Sequence, residues 1–436
     1  MSGATVVIFT IGTQGDIRPL VALGIGLQQA GYPVRIVTSD NFAEMIRSAG
    51  LEFFPLTSNF QTLLEADRGL IDDGLDMQAI ARTFRDCFAA WAPQWVSQGL
   101  AACEGAGLLI GVGNVTLLAK SLAEARGIPF VCAQLQPLTP SSVLPPTVFV
   151  GSKRKLPPHL NMGAYQLLRM LVWYVMRPAI NGIVRPQLGL RKYPWYGPYF
   201  TSNSRVVYGF SHHVLPRPVD WPDTVHIAGY WFLDQPQWQP PEALHAFLHK
   251  GPKPIYIGFG SMLSSNTKAF TETVLDAVRK SGQRAVLASG WGGLDGVDGV
   301  LDEQVFVIRH APHDWLFKQV SVAVHHGGAG TTAAAVRAGI PSVIVPFFGD
   351  QPFWARCLQR EGVAPSVLDR KNLSADALAN AIDSALQESM RLAAEALGQR
   401  VRAEDGVGAA VRCLQAWGFL SPVVPESVAE PMRSVG

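Results

Sequence analysis

Residues 320–345 read VSVAVHHGGAGTTAAAVRAGIPSVIV. An apolar run, Val320 to Val324, meets a glycine-rich loop, and an alanine-rich helical segment follows. That segment closes at Arg337-Ala338-Gly339-Ile340-Pro341 before a second apolar run, Ser342 to Val345. Two short apolar strands joined through a helix imply a parallel pair covered on both faces. The same layout recurs upstream, from Leu108 through Ala119 to Ala125, closing at Arg126-Gly127-Ile128-Pro129 before the run Phe130 to Ala133. At the N-terminus, Thr5 to Ile11 is a strand and Gly12-Thr13-Gln14-Gly15-Asp16 is turn chemistry. Leu20, Leu23, Leu27 and Ala30 then fall at helical spacing, Gly31 ends the helix, and Pro33 to Thr38 is the next strand. The two halves repeat each other weakly, as two Rossmann-like α/β domains would.

Between the halves lies Asp234-Gln-Pro-Gln-Trp-Gln-Pro-Pro241, which can continue neither a helix nor a central strand. The expected division is therefore residues 1–233, a linker at 234–241, and residues 242–436. After the linker a fresh count begins: a strand at Pro254 to Phe259, a helix at Lys268 to Lys280, a strand at Arg284 to Ser289. The stretch Gly406 to Phe419 reads as a last helix, expected to pack back on the first domain.

With 48% hydrophobic and 16% charged residues in 436, the chain can bury two large cores. Its formal charge of +2 and the lack of a conspicuous Lys/Arg block argue against nucleic acid as a partner. Five scattered cysteines, without a C-x-x-C pair, suit neither a disulfide framework nor a zinc site. Met1 leads directly into the first strand without a basic segment or cleavage signal, so the expected location is the cytoplasm. The greasiest stretch, Gln166 to Val184, is interrupted by Arg169, Arg177 and Pro178 well before the roughly 20 apolar residues a spanning helix needs. It reads as a buried or pocket-lining helix, although Trp173 and Tyr174 flanked by arginines also suit a peripheral membrane contact.

The chemistry concentrates in three places. In His325-His326-Gly-Gly-Ala-Gly-Thr331-Thr332, bare backbone N–H groups, two hydroxyls and a helix N-terminus form an anion cradle suited to a diphosphate. In Val345-Pro-Phe-Phe-Gly-Asp350-Gln351-Pro-Phe-Trp354, a carboxylate and an amide stand side by side and can hold adjacent sugar hydroxyls. In Arg309-His310-Ala311-Pro312-His313, an imidazole and a proline turn follow a strand, where a uracil ring could stack.

These strings, with Phe9 to Gly24 and Pro216 to Asp234, resemble those of the nucleotide-sugar-dependent glycosyltransferases of GT-B fold, and most closely their sterol glucosyltransferase branch. The resemblance spans both halves and implies two Rossmann-like domains with parallel sheets facing across a cleft. It implies that His310 and Ala311 hold the uracil, that His326, Gly328, Gly330, Thr331 and Thr332 hold the diphosphate, and that Asp350 and Gln351 grip the sugar. Ser261 would be a second phosphate contact, Trp291 would pack against the nucleotide, and no metal or other cofactor is expected. The general base would be Asp16, where many relatives carry His in an H-x-x-P string that here reads Asp16-Ile17-Arg18-Pro19. Asn114 stands near the strand end where a histidine base would find an acidic orienter, and Ala334 replaces a ribose-binding glutamate.

The first domain is expected to receive the acceptor. Phe84, Phe88, Trp91 and Trp95 at near-helical spacing and the stretch Met162 to Met176 read as core stripes more readily than as pocket lining; as lining, with the proline-rich loop Pro137 to Pro158, they suit a flat lipophilic alcohol. The implied reaction moves glucose or a related hexose, with inversion, from a UDP-sugar to a sterol-like hydroxyl. Alternatives are transfer to a polyketide, terpenoid or macrolide, and a GT-B nucleotide-sugar epimerase.

Overall fold

The computed structural model describes residues 4–58, 77–149, 157–198, 204–235, 237–260, 267–291 and 298–421. Ser261 therefore lies outside the described residues, as does the side chain of Trp291.

Strands β1 (Thr5–Phe9), β2 (Val34–Thr38), β3 (Glu52–Pro55), β4 (Ala106–Val112), β5 (Phe130–Gln134), β6 (Val206–Tyr208) and β7 (Val225–Ile227) form one parallel sheet in the order β3-β2-β1-β4-β5-β6-β7. The order reverses between β1 and β4, which opens a crevice at their C-terminal ends. Helices α1 (Gln14–Gln29), α2 (Met77–Ala102), α3 (Thr116–Arg126) and α4 (Pro158–Ala179) accompany this sheet. On one face Leu20, Val21 and Leu27 of α1 pack with Val6, Ile8 and Ile110; on the other, Phe88, Trp95, Leu118 and Trp173 pack with Val7, Phe9 and Leu109. Burial on both sides explains why β1 and β4 are continuous apolar runs and not alternating ones.

Strands β8 (Ile255–Gly258), β9 (Ala285–Ala288), β10 (Gly299–Val300), β11 (Val305–Ile308), β12 (Ala323–His325) and β13 (Ser342–Ile344) form the second sheet, ordered β10-β11-β9-β8-β12-β13. All its pairs are parallel except the short edge pair β10–β11. With it come α5 (Thr267–Ser281), α6 (Ala329–Ala338), α7 (Gln351–Arg360) and α8 (Gly406–Ala416). The internal repetition has a backbone cause. Both α3 and α6 end on a left-handed glycine, Gly127 (φ 65°) and Gly339 (φ 74°), after which Ile-Pro starts the next strand.

The chain crosses between sheets under several clamps. Arg337 of α6 forks onto Asp234 at 2.6 and 2.7 Å, Arg18 of α1 donates to the carbonyl of Leu233 (2.7 Å), and the amide of Gln235 donates to Asp314 (3.0 Å). Helix α8 returns to the first sheet, where Ala410, Val411 and Leu414 join the core beside α1.

Three expectations change. Strand β12 begins at Ala323, three residues later than its apolar run, and extends through His325. Phe88 and Trp95 are core residues at 1% and 0% exposure, so for that half of the aromatic stripe the core reading holds and the chamber reading falls. Helix α4 is not buried: Trp173 packs inward while Tyr174 is 51% exposed, and most of the helix's remaining apolar residues face outward.

Candidate active site

Asp16 sits in the first turn of α1, which Thr13 precedes as N-cap. Both the N–H and the hydroxyl of Thr13 donate to Asp16 Oδ2, at 2.8 and 3.0 Å. The residue thus serves as a capping carboxylate, while Oδ1 has no partner among the described residues and stays available. Gly12 makes this possible. Its φ is 155°, and a Cβ there would sit 2.4 Å from Asp16 Oδ2, so a side chain would push the carboxylate out of place. Burial raises the Asp16 pKa above the ordinary aspartate value, and the two Thr13 hydrogen bonds partly oppose it. As a general base Asp16 would work ionised, so activity is expected to fall as pH drops through that pKa. Thr13→Val deletes one lowering bond, and the acid limb of the pH–rate profile should move to higher pH while the alkaline limb stays put.

Across the cleft, β12 delivers His325 and His326. His325 is fully buried, and its Nδ1 accepts the Gly327 N–H at 3.0 Å, which places the ring proton on Nε2. That bond braces a turn which needs glycine: Gly327 has φ 89°, and a Cβ would meet Ile344 Cγ2 at 2.8 Å and the Gln351 carbonyl oxygen at 3.1 Å. His326 lies over Gly328, whose Cβ would stand 2.5 Å from His326 Nε2. Burial lowers the His326 pKa to about 4, so the ring is neutral at working pH.

Helix α6 then starts with bare donors. Its first intrahelical bond runs from the Thr332 N–H to the Gly328 carbonyl (2.9 Å), which leaves the amides of Ala329, Gly330 and Thr331 unpaired among the described residues. Among the described residues no atom lies within 4 Å of a Cβ built at Gly330, so the cradle is open there. His326 Nδ1 and Thr332 Oγ1 are buried without a partner among the described residues. Bare amides, two orphaned polar atoms and the positive end of a helix suit one guest, an anion rich in acceptors.

Asp350 precedes α7, and its Oδ2 accepts the Trp354 indole N–H at 2.7 Å. Burial pushes its pKa up to about 6; the Trp354 bond opposes the shift, and the charge of Asp16 adds to it. The two carboxylates therefore feel each other across the cleft. Gln351 is 5% exposed, and its Oε1 accepts from the amides of Phe347 and Phe348 at 2.7 and 3.1 Å. That oxygen shapes the loop that carries Asp350. His310 is exposed and Ala311 half-buried at the end of β11. Between them and the cradle, His313 is held neutral by burial, its pKa down to about 4, with Nε2 3.2 Å from the Tyr256 hydroxyl. Asn114 is exposed beyond β4 and makes no hydrogen bond to Asp16.

A family model described as the glycosyltransferase family 28 N-terminal domain matches residues 6–145, and one described as the erythromycin biosynthesis protein CIII-like C-terminal domain matches residues 273–407. A sterol 3-beta-glucosyltransferase of Arabidopsis thaliana is 33% identical over 98% of this chain and 67% of its own length. The chain belongs to the sterol 3-beta-glucosyltransferase family. A Leptosphaeria maculans sterol 3-beta-glucosyltransferase is 35% identical over 94% of the chain, which spans 28% of that longer protein. Among solved structures, the calicheamicin glycosyltransferase CalG4 aligns with a TM-score of 0.66 at 16% identity, covering 98% of this chain and 100% of its own. SnogD from Streptomyces nogalater aligns with a TM-score of 0.63 at 19% identity, over 95% and 99%. These likenesses establish the GT-B fold.

As a member of the sterol glucosyltransferase family, the chain brings Asp16, Asp350 and the α6 cradle to one cleft. Sequence reasoning passed over Thr13, which orients Asp16, although an N-cap hydroxyl three residues before an acid was a readable signal. It also found no metal-ligand cluster. The fold brings Glu404 beside His212 and His213, with ligand atoms within 4.8 Å of one another. Ser211 Oγ donates to Glu404 Oε1 at 2.8 Å and His212 Nδ1 lies 3.0 Å from the same oxygen, so the trio also ties the loop after β6 to the turn before α8.

Asp350 offers a test with two readouts. Its raised pKa means that the folded state binds this proton more tightly than the unfolded chain does; the associated stability is present below pH 3.8 and lost as pH rises through about 6. Asp350→Asn keeps an acceptor for Trp354 and avoids that loss. Its melting temperature should exceed wild type at pH 7.5 and match it near pH 4, while kcat/KM falls about 10- to 100-fold for want of a charged acceptor.

Proposed function

We propose that this protein transfers glucose, or a close relative, from UDP-glucose to the hydroxyl of a sterol or similar lipophilic alcohol, with inversion at the anomeric carbon. The row of amides at the start of α6 left unpaired among the described residues, in a site where Asp350 feels the charge of Asp16, carries the reading. His310 and Ala311 would flank the base, and the α6 terminus, His326 and Thr332 would take the diphosphate. Asp350 would hold the sugar, with Gln351 fixing its loop, and Ser261 and Trp291 would complete the donor pocket. Asp16 Oδ1 would remove the acceptor proton as UDP leaves from the opposite face. Charge on the leaving diphosphate is met by the helix terminus without a divalent ion.

Sterol 3-beta-glucosyltransferases match more than nine-tenths of the chain, which favours a sterol over a polyketide or macrolide acceptor. A lipophilic acceptor also favours work in the cytoplasm at a membrane surface. Labelled UDP-glucose incubated with a panel of sterols, macrolides and flavonoids, with and without EDTA, tests the reading. A labelled steryl glucoside that forms equally with EDTA supports it; label passing only to non-sterol acceptors, or a sugar epimer formed without acceptor, overturns it.

A further inference from the structure

Charge along the chain is uneven in a way its net value of +2 conceals. The 95 residues from Ala125 to Val219 hold eleven Lys and Arg and no Asp or Glu, so the rest of the chain carries −9. Exposed apolar side chains concentrate in the same span. Of fifteen large hydrophobic residues exposed among those described, eleven lie between Leu138 and Trp195.

Helix α4 runs through the middle of this region. Leu160, Leu167, Met170, Leu171 and Tyr174 recur at helical spacing on one side and are 42% to 52% exposed. The opposite side holds Tyr165, Trp173 and Met176, all buried at 3% exposure or less. Val143 (58% exposed) extends the apolar surface at one end, since Asn161 of α4 bonds the carbonyl of Ser142 (2.7 Å). Trp195 (68%) extends it at the other, since the Trp173 indole bonds its carbonyl (2.9 Å).

Beside Tyr174 opens a cleft of about 380 Å³ whose walls include Arg85, Arg177 and Lys192 and, among the described residues, no acidic one. Arg85 is steadied by the Tyr174 hydroxyl (2.9 Å) and by Asp86 (3.2 Å). Arg177 and Lys192 have no ion pair among the described residues.

We propose that the outer face of α4 lies in the interface of a membrane bearing anionic lipids, with the Arg85–Arg177–Lys192 cleft receiving a lipid phosphate. By length and composition alone the helical stretch Pro158–Gln187 passes for a spanning one despite Arg169, Arg177 and Pro178, but only 33% of its most apolar window is buried. One side belongs to a protein core, so lipid cannot surround it, and lying flat is the geometry left. An exposed apolar stripe with cations at its flank and no acid over 95 residues matches an anionic interface and repels a second copy of itself. The inference rests on the proposed function in one respect, that a bilayer-held alcohol is the acceptor a docked enzyme would reach.

Vesicle sedimentation tests it without turnover. The protein should pellet with vesicles of phosphatidylcholine containing one-third phosphatidylglycerol and stay in solution with phosphatidylcholine alone. Arg177→Gln with Lys192→Gln should weaken vesicle binding about thirtyfold, and Leu167→Gln with Leu171→Gln about tenfold or more. UDP affinity by calorimetry should be unchanged in both, showing that the variants are folded. Equal pelleting with neutral vesicles, wild-type behaviour of either pair, or a dimer abolished by the leucine changes would overturn the proposal. Loss of sterol transfer with vesicle binding intact would count against the proposed function alone.

Discussion

Asp16→Asn should lower the rate of sugar transfer by about 10² to 10⁴ while UDP binds as in wild type. The two readouts separate because the residues concerned stand on different sheets: Asp16 begins α1 in the first, and the bare amides begin α6 in the second. Asparagine keeps an oxygen for the Thr13 N–H and hydroxyl, so the cap should survive and any cost to stability should stay near about 1 kcal/mol. The available Oδ1 position, however, would carry the amide NH2, a donor that cannot take a proton. Stopped transfer with an unchanged dissociation constant for UDP, followed by calorimetry, is the expected pair of results. Retained turnover would remove Asp16 from its role.

Gly330→Ala should weaken UDP binding about tenfold or more and leave the fold intact or slightly firmer. Among the described residues nothing stands within 4 Å of the added methyl, so no clash is expected without ligand. Alanine in a helix is more stable than glycine by about 0.5–1 kcal/mol. The methyl would fill the space where a diphosphate approaches the first amides of α6, and close backbone approach is what glycine permits at such sites. A higher melting temperature with poorer UDP affinity would therefore report the ligand's position. Unchanged affinity would place the phosphates elsewhere. Gly328→Ala is a weaker test, since its methyl would strike His326 and disturb the pocket by itself.

The donor half of the site was legible because it is local. A strand, a glycine loop and a helix N-terminus within a dozen residues fix the positions of their own backbone amides, and His325 to Thr332 do so here. Much of the acceptor half was not. Side-chain spacing on α2 and α4 announced helices with apolar stripes, but whether a stripe faces a core, a chamber or solvent depends on what packs against it. On α2, Phe88 and Trp95 turned inward to the first sheet; on α4, Trp173 did so while Tyr174, one residue on, turned out. The concentration of positive charge between Glu124 and Asp220 was readable throughout and hidden only by a near-neutral total.

By itself, then, the sequence determined two parallel sheets, the left-handed glycines that end α3 and α6, and an anion cradle, because each follows from short-range backbone and periodicity constraints. Only the tertiary structure decided that Asp16 faces Asp350, that Glu404 joins two histidines some 190 residues away, and that one side of α4 is left bare. Those are contacts between distant segments, and their partners are chosen by how whole elements pack.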